Sequence, residues 1–271
     1  MKETAILITG ASGGLGMSMV QMSLSLPDID RIIATDIDKN IAEAFNDYGE
    51  RVIPFVMDAT SDKSIEKVHS ELRKRRIIVK YIINNAGIFM FHPVSELTQD
   101  MLEQIMKVNA FAPVLTVSNF LSDLSETKGR VVQISSCAVK FPTMFQAYPA
   151  SKIAMEALSI SMRQELSLTG VKMIFIRSGA INTGLINEMQ TLPVAAEKSK
   201  YHMFYKKFLE RTSKDVGKIT EPENVAGIVY KALTEKKPKN IYTINSNRTI
   251  RIFSLFPQKV QDYLLRKMIK G

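Results

Sequence analysis

Residues 5–19 read Ala5-Ile6-Leu7-Ile8-Thr9-Gly10-Ala11-Ser12-Gly13-Gly14-Leu15-Gly16-Met17-Ser18-Met19. An apolar run of strand length enters a glycine-rich turn, and Leu15, Met19, Met22 and Leu26 then recur at helical spacing. Glycines at 10, 14 and 16 allow a tight turn and close backbone approach to an anion, with Ser12, Gly13 and Leu15 completing the loop. The following helix would present free N–H groups and a partial positive charge to that anion. A glycine cluster alone is a weak signal. Placed after the first strand and before a helix, it predicts a pyrophosphate-binding turn rather than a merely flexible one.

Asp36 ends the second apolar run, 20 residues after Gly16. A carboxylate there accepts from both ribose hydroxyls of an adenosine and repels a 2′-phosphate. No arginine follows it and the glycine loop holds no basic residue, although Lys39 is near. The expectation is NAD, with NADP disfavoured. A helix N-cap is the competing role for Asp36.

Outward from this turn, short runs rich in Ile and Val alternate with longer amphipathic segments. The predicted strands are Ala5–Thr9, Arg31–Thr35, Val52–Val56, Ile78–Ile83, Arg130–Ser135, Lys172–Arg177 and Ile241–Ile244. They do not alternate with polar residues, as expected of strands covered on both faces. The predicted helices are 14–26, 39–48, 62–76, 99–124, 148–169 and 222–235. This order predicts a doubly wound α/β fold of Rossmann type, with a parallel seven-stranded sheet, helices on both faces and right-handed crossovers. No linker or repeat divides residues 1–271, so one domain is expected. Residues 184–220 break the alternation and read as an inserted lid.

Composition narrows the function classes. Of 271 residues, 45% are apolar and 23% charged, which excludes disorder as the whole account. One cysteine, Cys137, excludes a disulfide framework. The histidines at 69, 92 and 202 show no ligand spacing, so no metal site is expected. The net charge is +9, and residues 236–271 supply +8 of it, with nine Lys/Arg against the single acid Asp262. The remainder is nearly neutral, and the basic end lacks a nucleic-acid reading module. Thr4–Pro27 is uncharged, but its glycines, four serines and Gln21 suit neither a membrane span nor a signal peptide. A cytoplasmic protein is expected by default. Residues 245–271 form a basic end. Within it Pro257–Lys270 reads as an amphipathic helix, with Lys259, Arg266 and Lys270 on one face and Val260, Leu264, Leu265, Met268 and Ile269 on the other. It is read either as a terminal helix packed on the body or as a peripheral contact with anionic lipid.

Three motifs in order carry a resemblance: Thr9-Gly-x-x-x-Gly-x-Gly16, then Asn84-Asn85-Ala86-Gly87, then Tyr148-x-x-x-Lys152. Together they resemble the short-chain dehydrogenase/reductase family over residues 9 to about 183, with hydroxysteroid- and retinol-dehydrogenase-like members in view. The resemblance implies that Asp58 and Ala59 contact the adenine and that Asn85, Ala86 and Gly87 lie beside the adenosine half. It implies a water-propping role for Asn109, and an active-site serine at Ser136 or Ser135, Ser136 aligning better from Val131. Gly179, Ile181 and Thr183 match the segment that meets the nicotinamide amide, although Ser178 stands where the family usually has proline. Pro149, directly after Tyr148, is also less usual, and leaves the start of that helix open.

Tyr148 and Lys152 are four apart and share a helix face. A phenol titrates near pH 10, and a neighbouring ammonium is expected to lower that value and make Tyr148 a general acid/base. Ser136 would orient the substrate oxygen, Lys152 would hold the nicotinamide ribose, and Asn109 would bind a water linking Lys152 to solvent. The implied activity is NAD-dependent interconversion of an alcohol and its carbonyl. The segment holding Leu185, Ile186, Met189, Leu192, Tyr201, Met203, Phe204, Tyr205 and Phe208, with Phe89, Met90, Phe91, Phe141, Met144 and Phe145, suggests a small hydrophobic alcohol or ketone of steroid-, retinoid- or lipid-like character. Family members commonly assemble through helices matching 99–124 and 148–169, implying a homodimer or homotetramer. Alternatives are a redox-sensing module that holds NAD without turnover, an NADP-preferring carbonyl reductase of the same fold, and the longer epimerase or dehydratase relatives. The joint presence of Ser136, Tyr148 and Lys152 counts against the first, and the glycine spacing with a short end piece against the last.

Overall fold

Along β1 (Glu3–Thr9) successive side chains enter opposite cores. Ile6 and Ile8 join one cluster, and Ala5 and Leu7 join the other. All four are fully buried, which is why this strand carries no polar alternation. The computed structural model describes residues 2–184, 198–212, 219–246 and 252–270. In it β1, β2 (Arg31–Asp36), β3 (Val52–Val56), β4 (Ile77–Asn84), β5 (Arg130–Ser136), β6 (Lys172–Ser178) and β7 (Ile241–Ile244) form a seven-stranded sheet of order 3-2-1-4-5-6-7. Every pairing is parallel. This is the doubly wound α/β sheet the alternation predicts, with its order reversing between β1 and β4, where such sheets open a crevice at their carboxyl ends.

Helix α1 (Gly14–Ser23) packs with a helix at Pro222–Thr234 on one face, burying Leu15, Met19 and Val20 with Val225 and Val229. On the other face lie α2 (Asp62–Lys74), the 99–127 segment and the helix Tyr148–Ser167, burying Ile65, Leu72, Val117, Phe120, Leu124 and Met155. Two predicted helices differ from expectation. Residues 39–48 form only the turn Ile41–Ala44 and a 3₁₀ stretch Asn46–Arg51, broken by Gly49 at φ 62. Residues 99–124 are not continuous: α3 (Gln99–Met106) passes through a π-helical turn, Lys107–Phe111, into α4 (Ala112–Asn119), and α5 (Leu121–Thr127) follows. Asn109 sits within the π turn, a distortion that tends to mark functional positions.

Helix α6 (Tyr148–Ser167) carries Pro149 in its first turn, where the lost N–H has no helical partner in any case. Within the region read as a lid, α7 (His202–Thr212) buries Tyr205 and Phe208 against Phe91 and Phe145. A bridge between Ile181 and Thr220 ties its two ends. Leu185, Ile186, Met189 and Leu192 lie outside the described residues. After α8 (Pro222–Thr234) and β7, the chain ends in α9 (Gln258–Lys270). Ile269 is buried and Met268 packs beside it, in the cluster of Tyr205 and Phe208. Much of the apolar face considered for lipid contact is therefore used against the body, although Val260 points outward. Among the described residues no helix is long and apolar enough to cross a membrane, and no group of side chains could hold a metal ion.

Candidate active site

The carboxyl ends of β1 and β4 are stitched together by side chains of the two motifs. Thr9 Oγ1 accepts from the N–H groups of Asn85 and Ala86, both at 3.1 Å. Asn85 Nδ2 donates back to the carbonyls of Thr9 at 3.1 Å and Gly10 at 2.9 Å. Gly10 has φ +65, and a Cβ there would stand 2.9 Å from Ala86 Cα. At Gly16 a Cβ would lie 2.1 Å from the Gly10 carbonyl oxygen, so the turn closes only on glycine. A Cβ on Gly13 would meet nothing nearer than 3.7 Å, and one on Gly14 only Thr183 at that distance. Side chains there would fill the space before α1. The α1 N-terminus has no side-chain cap and no acid in its first turn. Bare peptide N–H groups at an open helix end are what a pyrophosphate needs, so these residues fit a dinucleotide.

Asp36 closes the loop's other side. Its Oδ2 accepts from Ser12 Oγ at 2.6 Å and the Ser12 N–H at 3.1 Å, and its Oδ1 from the Asp38 N–H at 3.2 Å. It caps no helix through these bonds; it braces the glycine turn. The next residue, Ile37, is 70% exposed. Asp58 accepts from the N–H and Oγ1 of Thr60 and forms the turn after β3, with Ala59 half-buried beside it.

Ser136 and Tyr148 meet above the ends of β5 and α6. The Ser136 hydroxyl lies near enough to the phenol to favour its ionised form, and Ser136 Oγ accepts from the Ala138 N–H at 3.1 Å. Ser135 is buried and donates to Glu156 on α6. Of the two serines, Ser136, which aligned better in the sequence, is the one beside Tyr148, while Ser135 is taken by Glu156. The Tyr148 ring is 5.3 Å from that of Phe89. Lys152 is buried; its Nζ lies 5.8 Å from the Tyr148 ring centre and donates to the Ile134 carbonyl at 3.0 Å. A Cβ on Gly87 would come within 3.5 Å of Lys152 Nζ and 3.2 Å of Asn109 Oδ1, so Gly87 leaves room for both.

Burial dominates the titration of this pair. It pushes the Tyr148 phenol up to about 12, and the nearby Ser136 hydroxyl offsets only part of the shift. It pushes Lys152 down to about 8, against the pull of the Glu156 carboxylate. The expectation that Lys152 lowers the phenol's pKa is not met, because desolvation outweighs an ammonium turned to a backbone carbonyl. The Asn109 side chain is held by protein groups. Its side chain accepts from the Ile88 N–H and donates to the Ile88 carbonyl, both at 2.8 Å, and to Ser151 Oγ at 2.9 Å. Both amide hydrogens are spent on protein, so the side chain clamps the strand end beside Lys152.

A family model described as short chain dehydrogenase matches residues 4–193. The chain belongs to the short-chain dehydrogenase/reductase family. It is therefore an oxidoreductase of nicotinamide-dependent type acting on CH–OH groups. Over 97% of its length it is 28% identical to the NADPH-dependent 3-dehydrocapnine reductase of Ornithobacterium rhinotracheale, covering 96% of that protein. Over 70% of its length it is 32% identical to estradiol 17-beta-dehydrogenase 2 of Rattus norvegicus, covering 51% of that protein. Its fold matches a short-chain dehydrogenase from Streptomyces avermitilis with a TM-score of 0.74 at 24% identity, over 100% of this chain and 96% of that one.

Within this short-chain dehydrogenase/reductase the departure at Ser178 has a structural counterpart. Residue 178 continues β6, in register with Ile244, where a proline could not donate to the sheet. The turn after it is held instead by β7: the Gly179 N–H donates to the Ile244 carbonyl at 2.9 Å, and Asn245 Nδ2 to the Ala180 carbonyl at 2.9 Å. A Cβ on Gly179 would stand 1.9 Å from the Asn245 carbonyl oxygen. Beyond it Thr183 reaches Gly14, so the 179–183 segment lies across the mouth of the glycine turn. Sequence reasoning missed Glu156 and Arg177. Arg177 donates to both Glu156 oxygens, forming a largely buried ion pair one turn beyond Lys152. The signal was available, since Glu156 follows Lys152 by four as Lys152 follows Tyr148.

Proposed function

We propose that this enzyme interconverts an apolar, lipid-like alcohol and its carbonyl with NAD(H), using Tyr148 as the general acid/base. The observation that carries the reading is the placement of Tyr148 with buried Lys152, its Nζ 5.8 Å from the phenol ring, and of Ser136 beside them at the end of β5. Gly10, Gly13, Gly14, Leu15 and Gly16 would receive the pyrophosphate, Asp36 the adenosine ribose, Asp58, Ala59, Asn85, Ala86 and Gly87 the adenosine side, and Lys152, Gly179, Ile181 and Thr183 the nicotinamide half. The cofactor supplies or takes up the hydride.

In oxidation Ser136 holds the substrate oxygen while Tyr148 accepts its proton; in reduction Tyr148 returns it. A phenol near 12 is a weak base at neutral pH, so the positive charge of Lys152 and of oxidised cofactor is needed to favour the phenolate. Replacing Tyr148 with Phe is expected to cut turnover about a thousandfold while leaving cofactor affinity within about threefold. Turnover equal to the parent's would end the assignment.

Asp36 and Asp38 support NAD(H), because a 2′-phosphate would face two carboxylates. The names of relatives favour the other cofactor: besides the capnine-type reductase, an NADPH-dependent 1-acyldihydroxyacetone phosphate reductase of Schizosaccharomyces pombe is 27% identical over 99% of this chain. Initial rates with both cofactors decide between them. Phe89, whose ring packs beside that of Tyr148 and against Phe91, supports an apolar substrate. Exposed Phe111, Ile153, Leu158 and Ile160 support a dimer or tetramer, which light scattering would measure.

A further inference from the structure

The C-terminal helix walls a cavity whose lining includes none of Ser136, Tyr148 or Lys152. It has a volume of about 520 Å³ and lies between α7, α9 and the loop that leads to Tyr148. Met144, Phe145, Phe204, Leu265 and Ile269 give it an apolar interior. Two cations, Arg266 and Lys270, stand one helical turn apart on the same wall. Both are exposed, and among the described residues neither has a carboxylate within ion-pair distance. Asp262, the acid on this wall, is engaged by Gln258 Nε2 at 3.0 Å.

The wall is also rigidly built. Phe145 is held at φ +66, a region an aromatic residue seldom enters. Its carbonyl takes the His92 N–H at 2.8 Å, and Phe91 bridges the neighbouring Gln146. Its ring packs edge-on against Tyr205 at 5.3 Å and Phe208 at 5.5 Å. A strained residue fixed from several sides preserves a shape that relaxation would otherwise fill.

We propose that this cavity is a binding site for one anionic amphiphile: an alkyl chain enters the apolar interior, and its phosphate or comparable anion pairs with Arg266 and Lys270. Apolar burial supplies affinity, and the paired cations select an anion-tipped chain over a neutral one. The site needs neither the cofactor nor the phenol of Tyr148.

Calorimetric titration of the cofactor-free protein with dodecyl phosphate, dodecanol and inorganic phosphate tests this. Dodecyl phosphate is expected to bind once per chain, about tenfold or more tighter than dodecanol, with inorganic phosphate silent. The double variant Arg266→Gln/Lys270→Gln, changed only at exposed positions, should lose about tenfold for dodecyl phosphate and little for dodecanol. Leu265→Trp, which fills the cavity, should weaken both. Tyr148→Phe should keep parental affinity, so a failed catalytic assignment leaves this result standing. No binding of dodecyl phosphate below millimolar concentration, unchanged affinity in both cavity variants, or loss of binding in Tyr148→Phe would overturn the site.

Discussion

Lys152 Nζ lies 5.8 Å from the centre of the Tyr148 ring and gives a hydrogen bond to the Ile134 carbonyl at 3.0 Å. The ammonium is thus close enough to polarise the phenol through space but is anchored to the sheet. That arrangement separates two tasks: the Ile134 carbonyl sets the position of the charge, and the charge is left to act on Tyr148 and on whatever fills the crevice.

The anchoring has a stability consequence. Lys152 titrates near 10.5 when unfolded and near 8 in the folded, cofactor-free protein. Between those values the unfolded chain binds more protons, so this group's contribution to stability rises with pH. Its cost is fully present below about pH 8 and is relieved toward pH 10. Against Lys152→Met, the parent should gain up to about 1.4 kcal/mol for each pH unit across that window. Chemical denaturation at pH 7, 8 and 9 measures the difference, and a parent-minus-variant stability that falls or stays flat as pH rises contradicts the shift.

The two serines at the end of β5 should separate chemistry from architecture. Ser136→Ala removes the hydroxyl that lies beside Tyr148 and is expected to lower kcat by about a hundredfold with little change in melting temperature. Ser135→Ala takes a donor from the buried Glu156 carboxylate and is expected to cost about 1–3 kcal/mol of stability. Equal catalytic losses from both changes would refute the division.

What the sequence disclosed follows from the range of each signal. Uninterrupted Ile and Val runs report burial on two faces, so all seven strands were legible to within two residues at each end. The glycine turn was legible because glycine at 10 and 16 answers a local steric demand. The π turn at Asn109 was not, since a π turn keeps helical periodicity on both sides. The choice of Ser136 over Ser135 was legible only by counting from Val131, because one residue of register decides which face a strand-end side chain takes, and both candidates are serine. The Asn109–Ser151 bond joins residues 42 apart and left no local trace.

Asp36 should govern cofactor choice more than affinity alone. Asp36→Ala removes the acceptor proposed for the two ribose hydroxyls, and with it the repulsion expected toward a 2′-phosphate. It also deprives Ser12 of its partner. The expected outcome is a KM for NAD raised about tenfold and a kcat/KM for NADP raised by a similar factor. Steady-state kinetics with both cofactors reads the change. A parent enzyme that prefers NADP, and a variant that leaves that preference unaltered, would show that Asp36 serves only the glycine turn.

Glu156 reaches Tyr148 only through other residues, and its effect should show in a pH profile. It accepts from Ser135 and from Arg177, and its negative charge opposes the desolvation of Lys152 one turn earlier. Glu156→Gln leaves Arg177 without its counter-charge, a change worth about 3 kcal/mol where a buried pair loses one member. It also removes the carboxylate that favours the Lys152 ammonium, so the Lys152 pKa should fall below its present value near 8. The acid–base limb that depends on charged Lys152 should then move to lower pH, with kcat falling more than KM changes. A Glu156→Asp variant should recover part of the limb. Adding Arg177→Met to Glu156→Gln should restore much of the stability while leaving the limb displaced, because the buried arginine's cost is gone and the carboxylate is still missing. If stability and the pH limb recover together in the double variant, Glu156 acts only as the partner of Arg177.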